Sequence, residues 1–133
     1  MNGVFELSVK GAKHTLMFRM KAYQILQMKS AVELERSGTV DELKAFVYLV
    51  YAGMCNYAES LDLVYPEYQY CYNLVDDLLN ESDSKEQQNA MYACFKASKA
   101  GEMIFDLIKQ VSPESVFDEE ETVKKKKAKK AIG

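Results

Sequence analysis

The chain has 133 residues, 48% of them apolar and 28% charged, with six glycines and two prolines. That composition supports one packed domain and excludes a collagen-like or linker-dominated chain. The formal charge of −3 is uneven: from Asp118 onward four acids face six lysines, net +2, which leaves −5 on the first 117 residues, a body that reads as a poor platform for nucleic acid.

Taken in chain order, the first pattern is a β-hairpin over about 4–10 and 13–19. Phe5-Glu6-Leu7-Ser8-Val9-Lys10 alternates apolar and polar, and His14-Thr15-Leu16-Met17-Phe18-Arg19 does so less strictly. Gly11-Ala12 between them fits a two-residue type II′ turn, with Gly first. That turn sets Val9 opposite His14, Leu7 opposite Leu16 and Phe5 opposite Phe18, with the apolar residues on one face. A lone hairpin is marginal, so it must pack on helices, gain a strand or pair with another molecule.

About four helices come next. Met20 to Glu35 carries Ile25, Met28 and Val32 at helical spacing, and Gly38 is the expected stop. Thr39 with Glu42 reads as a capping box opening the second helix. Leu43, Phe46, Val47, Val50, Tyr51 and Met54 form its inner stripe, and Tyr48, Leu49 and Ala52 make it the most enclosed helix. Pro66 opens the third, with Cys71, Leu74, Val75 and Leu78 on one side. Asn80 to Asp83 is a loop, and Ser84 with Gln87 a second capping box. The fourth helix runs to about Gln110, with Met91, Cys94, Phe95, Phe105 and Ile108 inward. Gly101 interrupts it, which marks a bend or a close contact. Ser112-Pro113 begins one short last turn. The domain boundary falls near Phe117, giving a 1–117 α-rich domain and a 118–133 charged, disordered tail.

Chemistry is sparse in this sequence. The longest apolar run, Ala45 to Cys55, is eleven residues, short of the roughly 18 that span a bilayer. Met1-Asn2-Gly3-Val4 has no basic cluster, so no signal peptide is expected. Three cysteines (Cys55, Cys71, Cys94) in helical settings fit buried thiols in a reducing, cytoplasmic compartment. His14 is the single histidine and sits at the rim of the apolar hairpin face. No CxxC spacing, catalytic triad or phosphate-cradling loop exists, and Asp76-Asp77 points its carboxylates about 100° apart on a helix. The expectation is a protein that is not an enzyme, with no cofactor and no metal.

Two features invite partners. Tyr65, Tyr68, Tyr70 and Tyr72 crowd a stretch that one helix cannot bury on one side, and tyrosine supplies rigid, amphipathic contact area. Met17 and Met20 at the hairpin–helix junction are the alternative candidate contacts, since Met adapts to varied partners. The lysine run of Lys124, Lys125, Lys126 and Lys127 reads as a solubilising terminus, as an arm for nucleic acid or acidic partners, or as the product of an adenine-rich ribosomal slip site.

The N-terminal FELSVKGAKHTLMFRM hairpin, running into a helix at the start of a short acidic helical body with a charged terminus, resembles the tail assembly chaperones of long-tailed phages and prophages. The resemblance covers about the first 40 residues and the rest by pattern. It implies a binding protein of the host cytoplasm, absent from the mature virion, that holds the tape-measure protein and recruits tail-tube subunits during tail morphogenesis. It also implies a longer frameshifted product, for which the codons of Lys124 to Lys127 would serve as the slip site. On the residues themselves, the hairpin edge offers a site for homo-oligomer formation. The alternative reading is a small helical regulatory or nucleic-acid-associated protein that uses the lysine arm.

Overall fold

The computed structural model describes residues 3–111, with side-chain surroundings for residues 3–106. The expected boundary near Phe117, the turn at Ser112-Pro113 and the charged tail lie outside the described residues. The protein is mainly helical with an N-terminal hairpin: β1 (Val4–Val9), β2 (Ala12–Met17), α1 (Met20–Ser37), α2 (Glu42–Ser60), α3 (Tyr68–Leu79), α4 (Ser84–Ala97) and α5 (Lys99–Val111). Two units are distinguished, Met1–Glu102 and Met103–Gly133. The first holds the hairpin, α1 to α4 and the start of α5.

The hairpin turn is Lys10-Gly11 and not Gly11-Ala12. Both residues have positive φ, 52° and 79°, as a type I′ turn requires, and Val9 pairs with Ala12. The register is Leu7 opposite His14 and Phe5 opposite Leu16, two residues from the expected one. A slide of two leaves every side chain on its own face, so Leu7, Val9, Leu16 and Phe18 are all buried as the alternation requires. A lysine in the left-handed region is strained. Its tertiary contacts offset this: its N–H donates to Glu81 Oε2 at 3.1 Å and its ammonium lies 3.4 Å from Asp77.

α2 is the central helix, with Phe46 to Val50 buried without a break. It packs against β2, α1 and α3, while β1 packs against α3 and α4. Two residues of α2 fix the hairpin–helix junction. Gly53 leaves room for the strand: a Cβ there would lie 2.8 Å from Phe18 Cε1 and 2.9 Å from Leu16 Cβ. Asn56, one turn on, is buried, and its Oδ1 accepts from both Arg19 N and Ala22 N at 3.0 Å. The α1 N-terminus has no side-chain cap of its own. A residue 34 positions downstream of Ala22 supplies it.

Helix ends depart from the sequence reading where side chains compete for the same amides. Gly38 stops α1 in the left-handed conformation, φ 84°, as expected. The α2 cap is Asp41 and not Thr39: the carboxylate accepts from Lys44 N at 2.8 Å, so the helix starts at Glu42. Helix α2 ends in a Schellman motif with Asp62 at φ 60°, Leu63 N donating to Ala58 O and Asp62 N to Glu59 O. The α4 box also differs. Asp83 precedes the helix, and Gln87 bonds Asp83 Oδ1 and the backbone of Ser8.

The fourth predicted helix is two, broken at Ser98 and not at Gly101. Ser98 is extended (φ −85°, ψ 164°), and its Oγ accepts from Gly101 N at 3.0 Å, capping α5. Gly101 permits the corner, since a Cβ there would lie 1.9 Å from the Phe95 carbonyl oxygen.

Substitutions at these two seats have distinct stability outcomes. Asn56→Ala strands two buried or half-buried amides and lowers unfolding free energy by about 1–3 kcal/mol, read from urea midpoints at unchanged m. Gly101→Ala cannot fit without moving backbone and costs about 2 kcal/mol or more, whereas Gly38→Asn, at an open left-handed position, changes stability far less.

Candidate interaction surface

The described residues leave a groove of mixed polarity open. A cavity of about 400 Å³ is lined by Glu42, Leu43 and Phe46 of α2, Leu79 at the end of α3, and Lys85, Gln88, Asn89 and Tyr92 of α4. A smaller recess of about 30 Å³ continues from Leu43 and Leu79 toward Val47, Tyr72, Val75 and Asp76. Phe46 and Tyr92 stack at 5.9 Å between ring centres, forming part of the lining, and burial pushes the Tyr92 hydroxyl pKa up. Leu43 and Leu79 are 44% and 43% exposed. Helical spacing places Leu43 on the inner stripe of α2, but it lies at the first turn of that helix, where the neighbouring helices no longer cover it.

The four tyrosines separate. Tyr72 reaches the groove, and Tyr70 is exposed. Tyr65 is exposed and donates its hydroxyl to Glu59, which raises its pKa to about 12. Glu59 also pairs with Lys21 at 3.6 Å, so Tyr65 sits toward the start of α1. Leu61, Leu63 and Val64 project beside it in the α2–α3 loop. Tyr68 is half-buried and structural: its ring meets Tyr51 at 5.6 Å and Tyr48 at 5.9 Å, with Lys29 Nζ 4.8 Å from its centre. Met20 is exposed at the head of α1, and Met17 is half-buried on β2. The four tyrosines therefore do not gather at one place, and Met17 and Met20, the alternative contacts, lie at the hairpin–helix junction. Of the exposed apolar residues around the groove, Tyr72 is among the six expected contacts, and Leu43, Leu79 and Tyr92 are not. The signal available was that α2 and α3 carry apolar residues beyond the face each can bury.

The titratable groups of the interior are tied to structure. His14 is half-buried opposite Leu7, and desolvation lowers its pKa. Burial raises the thiol pKa of Cys55, Cys71 and Cys94, that of Cys71 to about 12, so these sulfurs are held as thiols. Asp77 pairs with Lys10 while Asp76 is exposed, so the acidic pair does not converge. Among the described residues no group of three or more His, Cys, Asp or Glu is arranged to hold a metal ion, and no helix is long and apolar enough to cross a membrane.

Glu33 is the one buried carboxylate of the described residues. Lys44 Nζ donates to it at 2.8 Å, Arg36 Nη2 at 2.7 Å and Ser37 Oγ at 3.0 Å, with Tyr48 Oη at 3.4 Å. These contacts tie the end of α1 to the start of α2.

No family model matches this sequence, no curated protein is significantly similar to it, and no solved structure matches its fold significantly.

The Glu33 cluster has a pH signature. Hydrogen bonds from Lys44 and Arg36 hold its carboxyl down to about 2, against an ordinary value of 4.5. The folded chain therefore binds this proton less readily than the unfolded chain. The stabilisation is complete above the ordinary value and is lost as pH falls from there through about 2. Urea midpoints measured across that window will fall with pH in the parent, and Glu33→Gln will lose that part of the slope while being less stable at neutral pH.

Proposed function

We propose that this chain is a tail assembly chaperone of a long-tailed phage or prophage. It is a non-catalytic binding protein of the host cytoplasm that holds the tape-measure protein and recruits tail-tube subunits around it. The observation that carries this reading is the groove between α2, α3 and α4. An amphipathic helix places apolar side chains at i, i+3, i+4 and i+7, and the groove offers Leu43, Phe46, Leu79 and Tyr92 to receive them. Glu42, Asp76 and Lys85 border these apolar residues, two acids against one base, and the first 117 residues carry −5. The matching client helix has lysines or arginines flanking its apolar stripe. A long helical protein with such stripes needs transient cover until its tube is built, and a small acidic domain supplies it without chemistry.

Co-expression with a tape-measure protein and capture through a tag on this chain tests the reading. The parent will retain the client. Leu79→Glu, at a position already 43% exposed, will weaken retention by roughly tenfold or more with little change in thermal stability. No association with any tail component would remove the proposal.

A further inference from the structure

The two edges of the hairpin are treated differently. In an antiparallel pair, residues alternate between those that bond across and those whose N–H and C=O point outward. Phe18 N donates to Gly3 O at 2.6 Å, and Val9 with Ala12 closes the turn. Val4, Glu6 and Ser8 therefore point outward from β1, and Lys13, Thr15 and Met17 from β2.

The β1 edge is occupied near both of its ends by side chains of α4. Gln87 mimics a neighbouring strand: its Oε1 accepts from Ser8 N at 2.7 Å and its Nε2 donates to Ser8 O at 2.8 Å. Farther along, Cys94 Sγ donates to Val4 O at 3.6 Å. On β2, the outward backbone groups of Lys13, Thr15 and Met17 have no partner among the described residues. One edge of this ribbon is occupied at both ends, at Ser8 and Val4, and the other is left able to pair.

We propose that the β2 edge joins the β2 edge of a second copy of this chain, antiparallel about a two-fold axis at Thr15, to make a four-stranded sheet. The register argues for this occupant. Centring on Thr15 sets Thr15 against the second copy's Thr15 and Lys13 against its Met17, so all three outward residues of each strand are used. Centring on Lys13 would oppose two lysines, and pairing Thr15 with Met17 would bring Lys13 against Arg19. Both set like charges directly opposite, which disfavours them. In the Thr15 register each Lys13 keeps its own Glu6, whose carboxylate lies 4.0 Å away, and Thr–Thr is a favourable cross-strand pair. The pairing is isologous and so closes at two copies. It uses neither the α2–α3–α4 groove nor its client, so it stands or falls apart from the function proposed above.

The test is the mass of the purified full chain in solution by sedimentation or light scattering across a dilution series. Thr15→Pro removes an N–H that points away from β1, where an edge strand tolerates proline. The parent is expected to run at twice the chain mass and to dissociate on dilution. Thr15→Pro should raise the dissociation constant by roughly tenfold to a hundredfold with unchanged helical circular dichroism. Thr15→Cys gives a second reading that does not depend on proline: its sulfurs meet at the axis, where paired strands bring Cα atoms about 5.5 Å apart. Oxidation should cross-link it as a dimer, whereas Ser8→Cys, on the occupied edge, should not. A parent that is monomeric throughout, a Thr15→Pro chain that associates like the parent, or equal cross-linking of both cysteine variants would overturn the proposal.

Discussion

The seating of the hairpin–helix junction on one face of α2 is the constraint on which the first unit depends. Gly53 gives up its side chain so that Leu16 and Phe18 can lie against the helix backbone, and Asn56 one turn later takes the first amides of α1. A two-stranded ribbon is marginal in water. Here it is stable because its apolar face is roofed by α2 and because the chain leaving it is caught at once. Phe18 adds an edge-on contact to Phe95 at 5.4 Å, which ties the same point to α4. Remove this seat and β1, β2 and α1 lose their common reference.

Polar groups around that seat act as clamps. The type I′ turn holds Lys10 in an uncommon conformation, and the acidic end of α3 and the loop after it take both its amide and its ammonium. Gln87 closes the outer edge of β1 with two hydrogen bonds from one carboxamide. Glu33 joins α1 to α2 with a buried, multiply bonded charge, where a single missing partner would leave a costly orphan. The tyrosine stack on Lys29 closes the α1–α2–α3 junction. Each clamp uses a residue type that composition alone would place at the surface.

What remains open includes large apolar side chains. Leu43, Leu79, Tyr72 and Tyr92 lie around one groove, and Leu61, Leu63 and Val64 project from the α2–α3 loop. Exposed apolar residues set among charges in a groove are a feature of surfaces that meet another polypeptide. The thiols and the histidine are left to packing.

Pattern alone set the class of fold: period-two alternation from Phe5 to Phe18 requires a hairpin with one apolar face, and the stripes of Ile25, Val47–Val50 and Cys71–Leu78 require amphipathic helices. Local chemistry also set the stop at Gly38. It did not decide which of two adjacent turns closes the hairpin, because sliding by two conserves the faces that pattern can detect, and only the contacts of Lys10 with Glu81 and Asp77 separate them. Nor could it find the α1 cap, since Asn56 is far along the chain, or the break at Ser98, where backbone approach and not propensity rules. The groove belonged to tertiary structure for the same reason. An apolar residue such as Leu43 or Leu79 reads as core in one dimension, and only the ends of three packed helices leave it facing water.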